Sequence, residues 1–181
     1  MKSKIFFKLF TTTVIACAIM FSIPAFAQEN TKLSDAEIAS IAVTANQIDI
    51  DYAAIAKLKS KNADLVKFAE TMAADHKAVI DQAVALVTKL NVTPKDNAVS
   101  QKLVADAVKT KKALNSKSGN TFNKAYIDNE VAYHKAVINA VENVLIPDAQ
   151  NAELKSLLQS VLPVLKTHLE HAIMLQSKIS K

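Results

Sequence analysis

The stretch ADLVKFAETMAADHKAVIDQAVALVTKL, residues 63–90, decides the fold. Leu65, Phe68, Met72, His76, Val79, Ala83, Leu86 and Leu90 recur at steps of three or four residues, the spacing that lines side chains along one side of an α-helix. Lys67, Glu70, Lys77, Asp81 and Lys89 fall between them and form the solvent side. His76 stands inside the apolar series, where Leu or Val is expected. An imidazole in a packed interior costs about 1–3 kcal/mol unless it meets a partner, so position 76 marks a hydrogen-bonded ring or a ligand.

The pattern continues on both sides. Upstream, Ser34-Asp35-Ala36-Glu37 is a capping box, in which the serine accepts from the third helical amide and the glutamate reaches back. It opens a helix with the stripe Ile38, Ile41, Ala45, Ile48, Tyr52 and Ile55. Downstream, Thr93-Pro94-Lys95-Asp96 predicts the start of a lysine-rich, weakly amphipathic helix reaching about Ser116, read as a surface crossover. Gly119, with Asn120 or Thr121 as cap, predicts a further helix to about Leu145 whose wide apolar arc has Glu130 and His134 at its middle. After Ile146-Pro147-Asp148 comes a last helix presenting Leu154, Leu158, Val161, Leu165, His168, Ala172, Leu175 and Ile179, with Pro163 on its solvent side.

Four long amphipathic helices and a crossover predict an all-α fold, a four-helix bundle, as a single domain over residues 34–181. If the crossover turns the chain so that the helices of His76 and His134 run parallel, those two rings come level. His168 then falls within about a turn of them at 1.5 Å rise per residue, and the first helix meets that level near Ala45 to Asp49.

Residues 1–27 read as a secretory signal peptide: Lys2, Lys4 and Lys8, an apolar run over residues 10–23, then Pro24-Ala25-Phe26-Ala27 with small residues before the expected cut. Residues 28–33 then form a short tail, and the protein is expected to be exported, to the periplasm with outer-membrane association open. The formal charge of +5 includes three signal lysines, leaving 5 − 3 = +2 for the rest. The single cysteine, Cys17, lies in the signal, so no disulfide is expected. All 22 basic residues are lysines. With no guanidinium fork for bases or phosphates, nucleic acid is an unexpected partner. No stretch after Ala27 is long and apolar enough for a transmembrane helix.

Phe68-Ala69, Met72 and Asp75-His76, then Gly119, Phe122, Tyr126 and His134-Lys135, then Leu162-Pro163, Leu165, His168-Leu169 and Ala172, in that order and spacing, resemble a family of exported bacterial proteins of unknown function. That family is usually described as ferritin-like and often labelled "predicted outer membrane protein". The resemblance spans about residues 34–177 and implies a helical bundle outside the cytoplasm, with no established activity. Where relatives tend to carry glutamate in the first helix this chain has Asp49 and Asp51, and where an aspartate often follows the Phe122 position it has Asn123. A carboxylate one bond shorter weakens the case for a ligand from the first helix.

Two readings of the buried polar residues are open. In one, His76, His134 and His168 are neutral rings satisfied by Glu130, Asp75, Tyr52, Tyr126, Tyr133 or a carbonyl freed by Pro163, and the chain has no enzymatic activity. In the other, His76, Glu130, His134 and His168 hold one zinc, copper or iron ion, with Asp75, Asp49 and Tyr52 as supporting residues. A ferritin-type di-iron centre is not expected. It needs Glu three residues before each of two histidines, and Ala73, Val131 and Leu165 hold those places. His171 reads as a surface residue. Lys102, Lys109, Lys111, Lys112 and Lys117 on the crossover suggest docking to an anionic envelope component or a protein partner, and buried imidazoles suggest a pH sensor. Catalytic serine or cysteine arrangements, phosphate loops and cofactor fingerprints are absent from the sequence.

Overall fold

Ser34 opens the first helix by the mechanism its capping box requires: its Oγ accepts the N–H of Glu37, and the Glu37 carboxylate accepts the N–H of Ser34 at 3.0 Å. Helix α1 runs Asp35–Lys59, followed by α2 (Ala63–Lys89), α3 (Ala98–Asn115) and α4 (Gly119–Ala140). The chain continues from α4 through a π-helical turn, Val141–Leu145, into the single turn α5 (Ile146–Asp148), and ends in α6 (Ala152–Ile179). This computed structural model describes residues 32–180; the expected signal peptide, residues 1–27, and the tail up to residue 31 lie outside the described residues. Among the described residues there is no strand, and no helix is long and apolar enough to cross a membrane.

Three helix ends differ from expectation. Helix α3 starts at Ala98, not at the Thr93-Pro94 signal, because Asn97 is the stronger cap: its Oδ1 accepts from the N–H groups of Val99 and Ser100, and the Ser100 Oγ accepts from the Asn97 N–H. The preceding residues are an extended connection tied to α1 by Lys95 N–H to Ala36 O at 2.9 Å. Helix α4 is capped by neither Asn120 nor Thr121; it begins at Gly119, whose φ of +54° favours glycine. At its far end the helix does not stop at Leu145 but runs on through Pro147 to Asp148. Pro163 lies within α6 and is exposed, as its place in the pattern requires.

The apolar interior falls into two groups. One gathers Ile48, Tyr52, Leu65, Phe68, Met72, Phe122, Tyr126, Ala172 and Leu175; the other gathers Ile38, Ile41, Ile138, Val141, Leu145, Leu154, Leu158 and Leu165. Helices α1 and α6 therefore leave the second group for the first, and α4 makes the reverse passage. Helix α2 also starts in the first group and brings Leu86 to the second. Helix α3 carries the chain back between them, so α2 and α4 run in the same direction. Between the two groups, on all four long helices, come the polar positions.

Candidate metal centre

Each long helix contributes to one polar layer: Asn46 and Asp49 from α1, Asp75 and His76 from α2, Glu130 and His134 from α4, and His168 from α6. Asp49, His76, Glu130, His134 and His168 are all buried, Asp49 and Glu130 completely. The three rings form a near-equilateral triangle, with centroids 5.6 Å apart for His76 and His134, 5.3 Å for His76 and His168, and 5.5 Å for His134 and His168.

The outer nitrogen of each ring is held by an acceptor, which sets its tautomer. Asn46 donates its amide to Ala42 O at 2.8 Å, so its Oδ1 accepts from His76 Nδ1 at 2.6 Å. His134 Nδ1 donates to the backbone carbonyl of Glu130 at 3.0 Å. His168 Nε2 donates to Asp75 Oδ2 at 2.9 Å. The remaining nitrogens, His76 Nε2, His134 Nε2 and His168 Nδ1, hydrogen-bond to no protein group, and neither do the carboxyl oxygens of Asp49 and Glu130. One ligand atom from each of the three histidines lies within 4.8 Å of the other two, and the same holds for Asp49, Glu130 and His134.

Asp49 joins the sets. Its Oδ2 stands 2.8 Å from His76 Nε2, without the alignment of a hydrogen bond, and 3.5 Å from His134 Nε2. Burial acts to raise its carboxyl, but the interactions with His76 and then His134 outweigh it and hold it below the ordinary carboxylate range. Glu130 goes the other way: burial, then the charge of Asp49, push it well above its ordinary value, which favours the protonated form. Burial lowers His134 against the attraction of Asp49, and lowers His168 against its hydrogen bond to Asp75. Both rings are neutral near pH 7. What faces inward is three ring nitrogens and two carboxyl groups, none of them hydrogen-bonded to the rest of the protein.

His76, Glu130, His134 and His168 come together, and Asp75 holds a ring from outside. Asp49, expected at most in support, lies against two of the rings; its spacing of four from Ala45 and three from Tyr52 puts it on the α1 stripe. Asn46 was not anticipated, although it lies three residues before Asp49 on the same face. Tyr52 does not hydrogen-bond to the imidazoles; it packs edge-on against Tyr133 at 5.6 Å, and Tyr133 donates to Ala45 O. The Tyr126 hydroxyl likewise hydrogen-bonds to no imidazole; its ring stacks on Phe122 and meets Phe68 edge-on. His171 is exposed and rests edge-on against Phe68. Asp51 pairs with Lys111 outside the layer, and Lys102 and Lys109 share Asp106, so much of the crossover's positive charge is already matched.

Comparison with known proteins gives one match. A family model described as a domain of unknown function (DUF4142) covers residues 22–175. No curated protein and no solved structure matches the chain.

Proposed function

The chain belongs to the DUF4142 family, and from that starting point we propose that it is an exported, ferritin-like four-helix bundle whose interior holds one divalent transition-metal ion. The bundle reading is supported by the pairing of α1 with α2 and of α4 with α6, with α3 as the crossover. Export rests on the pattern of residues 1–27. The ligands are His76, His134 and His168 through their inward nitrogens, with Asp49 as the carboxylate and Glu130 beside it. Asp75 and Asn46 orient two of the rings.

One observation carries the reading: three inward ring nitrogens and the carboxyl groups of Asp49 and Glu130 converge, fully buried, with no hydrogen-bond partner in the protein. Each would cost about 1–3 kcal/mol if left unmet. A cation is the species that satisfies them together, and three imidazoles with a carboxylate suit zinc, copper or iron. The competing reading, a purely hydrogen-bonded cluster, requires a proton on His76 Nε2 to bridge to Asp49. No reaction is assigned; the role is metal holding.

Metal analysis of protein purified from the periplasm separates the two. One equivalent of metal in the native protein, lost in His76→Ala, His134→Ala and His168→Ala, is expected. Metal-free protein that takes up no zinc, copper or iron from solution overturns the proposal.

A further inference from the structure

The polar layer forms one end of a cavity of about 460 Å³, within the range of small-molecule sites. Its lining is divided by position. His76, His168, Asp49 and Asp75 stand at one end with the Lys102–Asp106 pair, whereas Ile41, Val87, Leu145, Leu154 and Leu158 close the other. Leu154 and His168 are fourteen residues apart on α6, about 21 Å at the helical rise, so the space is long. Ala39, Ala42 and Ala45 on α1 and Ala140 on α4 leave it open where larger side chains would fill it. Val99 and Val164 line it while 46% and 41% exposed, and mark its opening to solvent between α3 and α6.

A long apolar space with polar groups at one end complements a single-chain amphiphile. We propose that this cavity binds a long-chain carboxylate, its alkyl chain along the alanines of α1 and its head completing the coordination of the metal ion. The inference rests on the metal-holding reading above. Without the cation the head end presents Asp49, Asp75 and Asp106 against one lysine, which repels an anion; with the cation in place it attracts one. Binding of the carboxylate is therefore metal-dependent.

The test is calorimetric titration of dodecanoate into zinc-loaded protein, with zinc content measured in every sample. One dodecanoate per protein is expected, with affinity falling at least about tenfold, or 1.4 kcal/mol, when zinc is removed or when dodecanol replaces dodecanoate. Ala42→Leu and Ala140→Leu, each filling the tail region away from the ligands, are expected to lose dodecanoate and keep zinc. Zinc retained with no dodecanoate bound overturns this proposal alone, as does equal binding of dodecanol, equal binding without zinc, or undiminished binding by both folded leucine variants. Protein that takes up no zinc, copper or iron overturns both proposals; where copper or iron is the ion held, the same titration on protein loaded with that ion decides this one.

Discussion

His76 Nε2 and Asp49 Oδ2 face each other at 2.8 Å inside the protein, the carboxylate fully shielded from solvent. Because His76 spends its other nitrogen on Asn46, this contact joins two acceptors unless a positive charge lies between them. Asp49→Asn keeps the shape and removes the negative charge. Zinc affinity is expected to fall at least about tenfold, with the fold retained, in competition against a chelator. Unchanged affinity would exclude Asp49 as a ligand.

Asp75 acts at one remove. It orients His168 through Nε2 while its own side chain is 45% exposed, so Asp75→Ala costs little packing. Loss of such an outer partner typically weakens metal binding by about 10–100-fold, and it leaves the buried His168 Nε2–H unpartnered, so the metal-free protein is expected to lose about 1–3 kcal/mol of stability. Denaturation with and without zinc checks both numbers.

The metal-free protein has opposing pH dependences. His134 and His168 are lowered from an ordinary 6.5 by burial, so the unfolded chain takes up protons first as pH falls below that value, and stability drops toward acid. Glu130 is raised from 4.5. The folded state there holds a proton that the unfolded chain has released, so stability drops as pH rises above 4.5 toward the raised value. Glu130→Gln removes only the second effect. It is expected to raise the midpoint of thermal unfolding at pH 7, by about 2–4 °C per kcal/mol recovered, with the gain vanishing near pH 4. A gain that persists undiminished at pH 4 would contradict the assignment.

Packing differs between the two apolar groups. Leu65 is wholly buried in the first, while Leu158 borders the cavity. Leucine-to-alanine changes cost about 2–5 kcal/mol according to the void they leave and how well it collapses. Leu65→Ala is expected near the upper end, about 4 kcal/mol, and Leu158→Ala nearer 2 kcal/mol, measured by urea denaturation.

Much of this was legible in the residues because helical periodicity is a strong signal and a polar residue inside it is conspicuous. His76, His134, His168 and Glu130 each interrupt an apolar series, and all four are buried in one layer. Asp49 is harder to read from sequence, because its side chain is one bond shorter than glutamate, whereas α1 packs closely enough to bring that short carboxylate to the rings. Asn46 carries no signal of its own in the sequence; only the position of α2 shows that its amide faces His76. The start of α3 was misplaced because Pro94 and Asn97 both signal a beginning, and the choice was made by tertiary hydrogen bonds from Lys95 and Asn97 to the first turn of α1.

The polar layer lies between two apolar groups on all four long helices, and this restricts how those rods can slide. Aliphatic seams with a repeat of seven residues pack almost as well after a shift of one repeat. Here such a slip would press an imidazole or the Asp49 carboxylate into leucine and isoleucine, at several kcal/mol for the charge alone. The layer therefore fixes the axial register of the helices, a constraint that shape matching among Leu, Ile and Ala would leave loose.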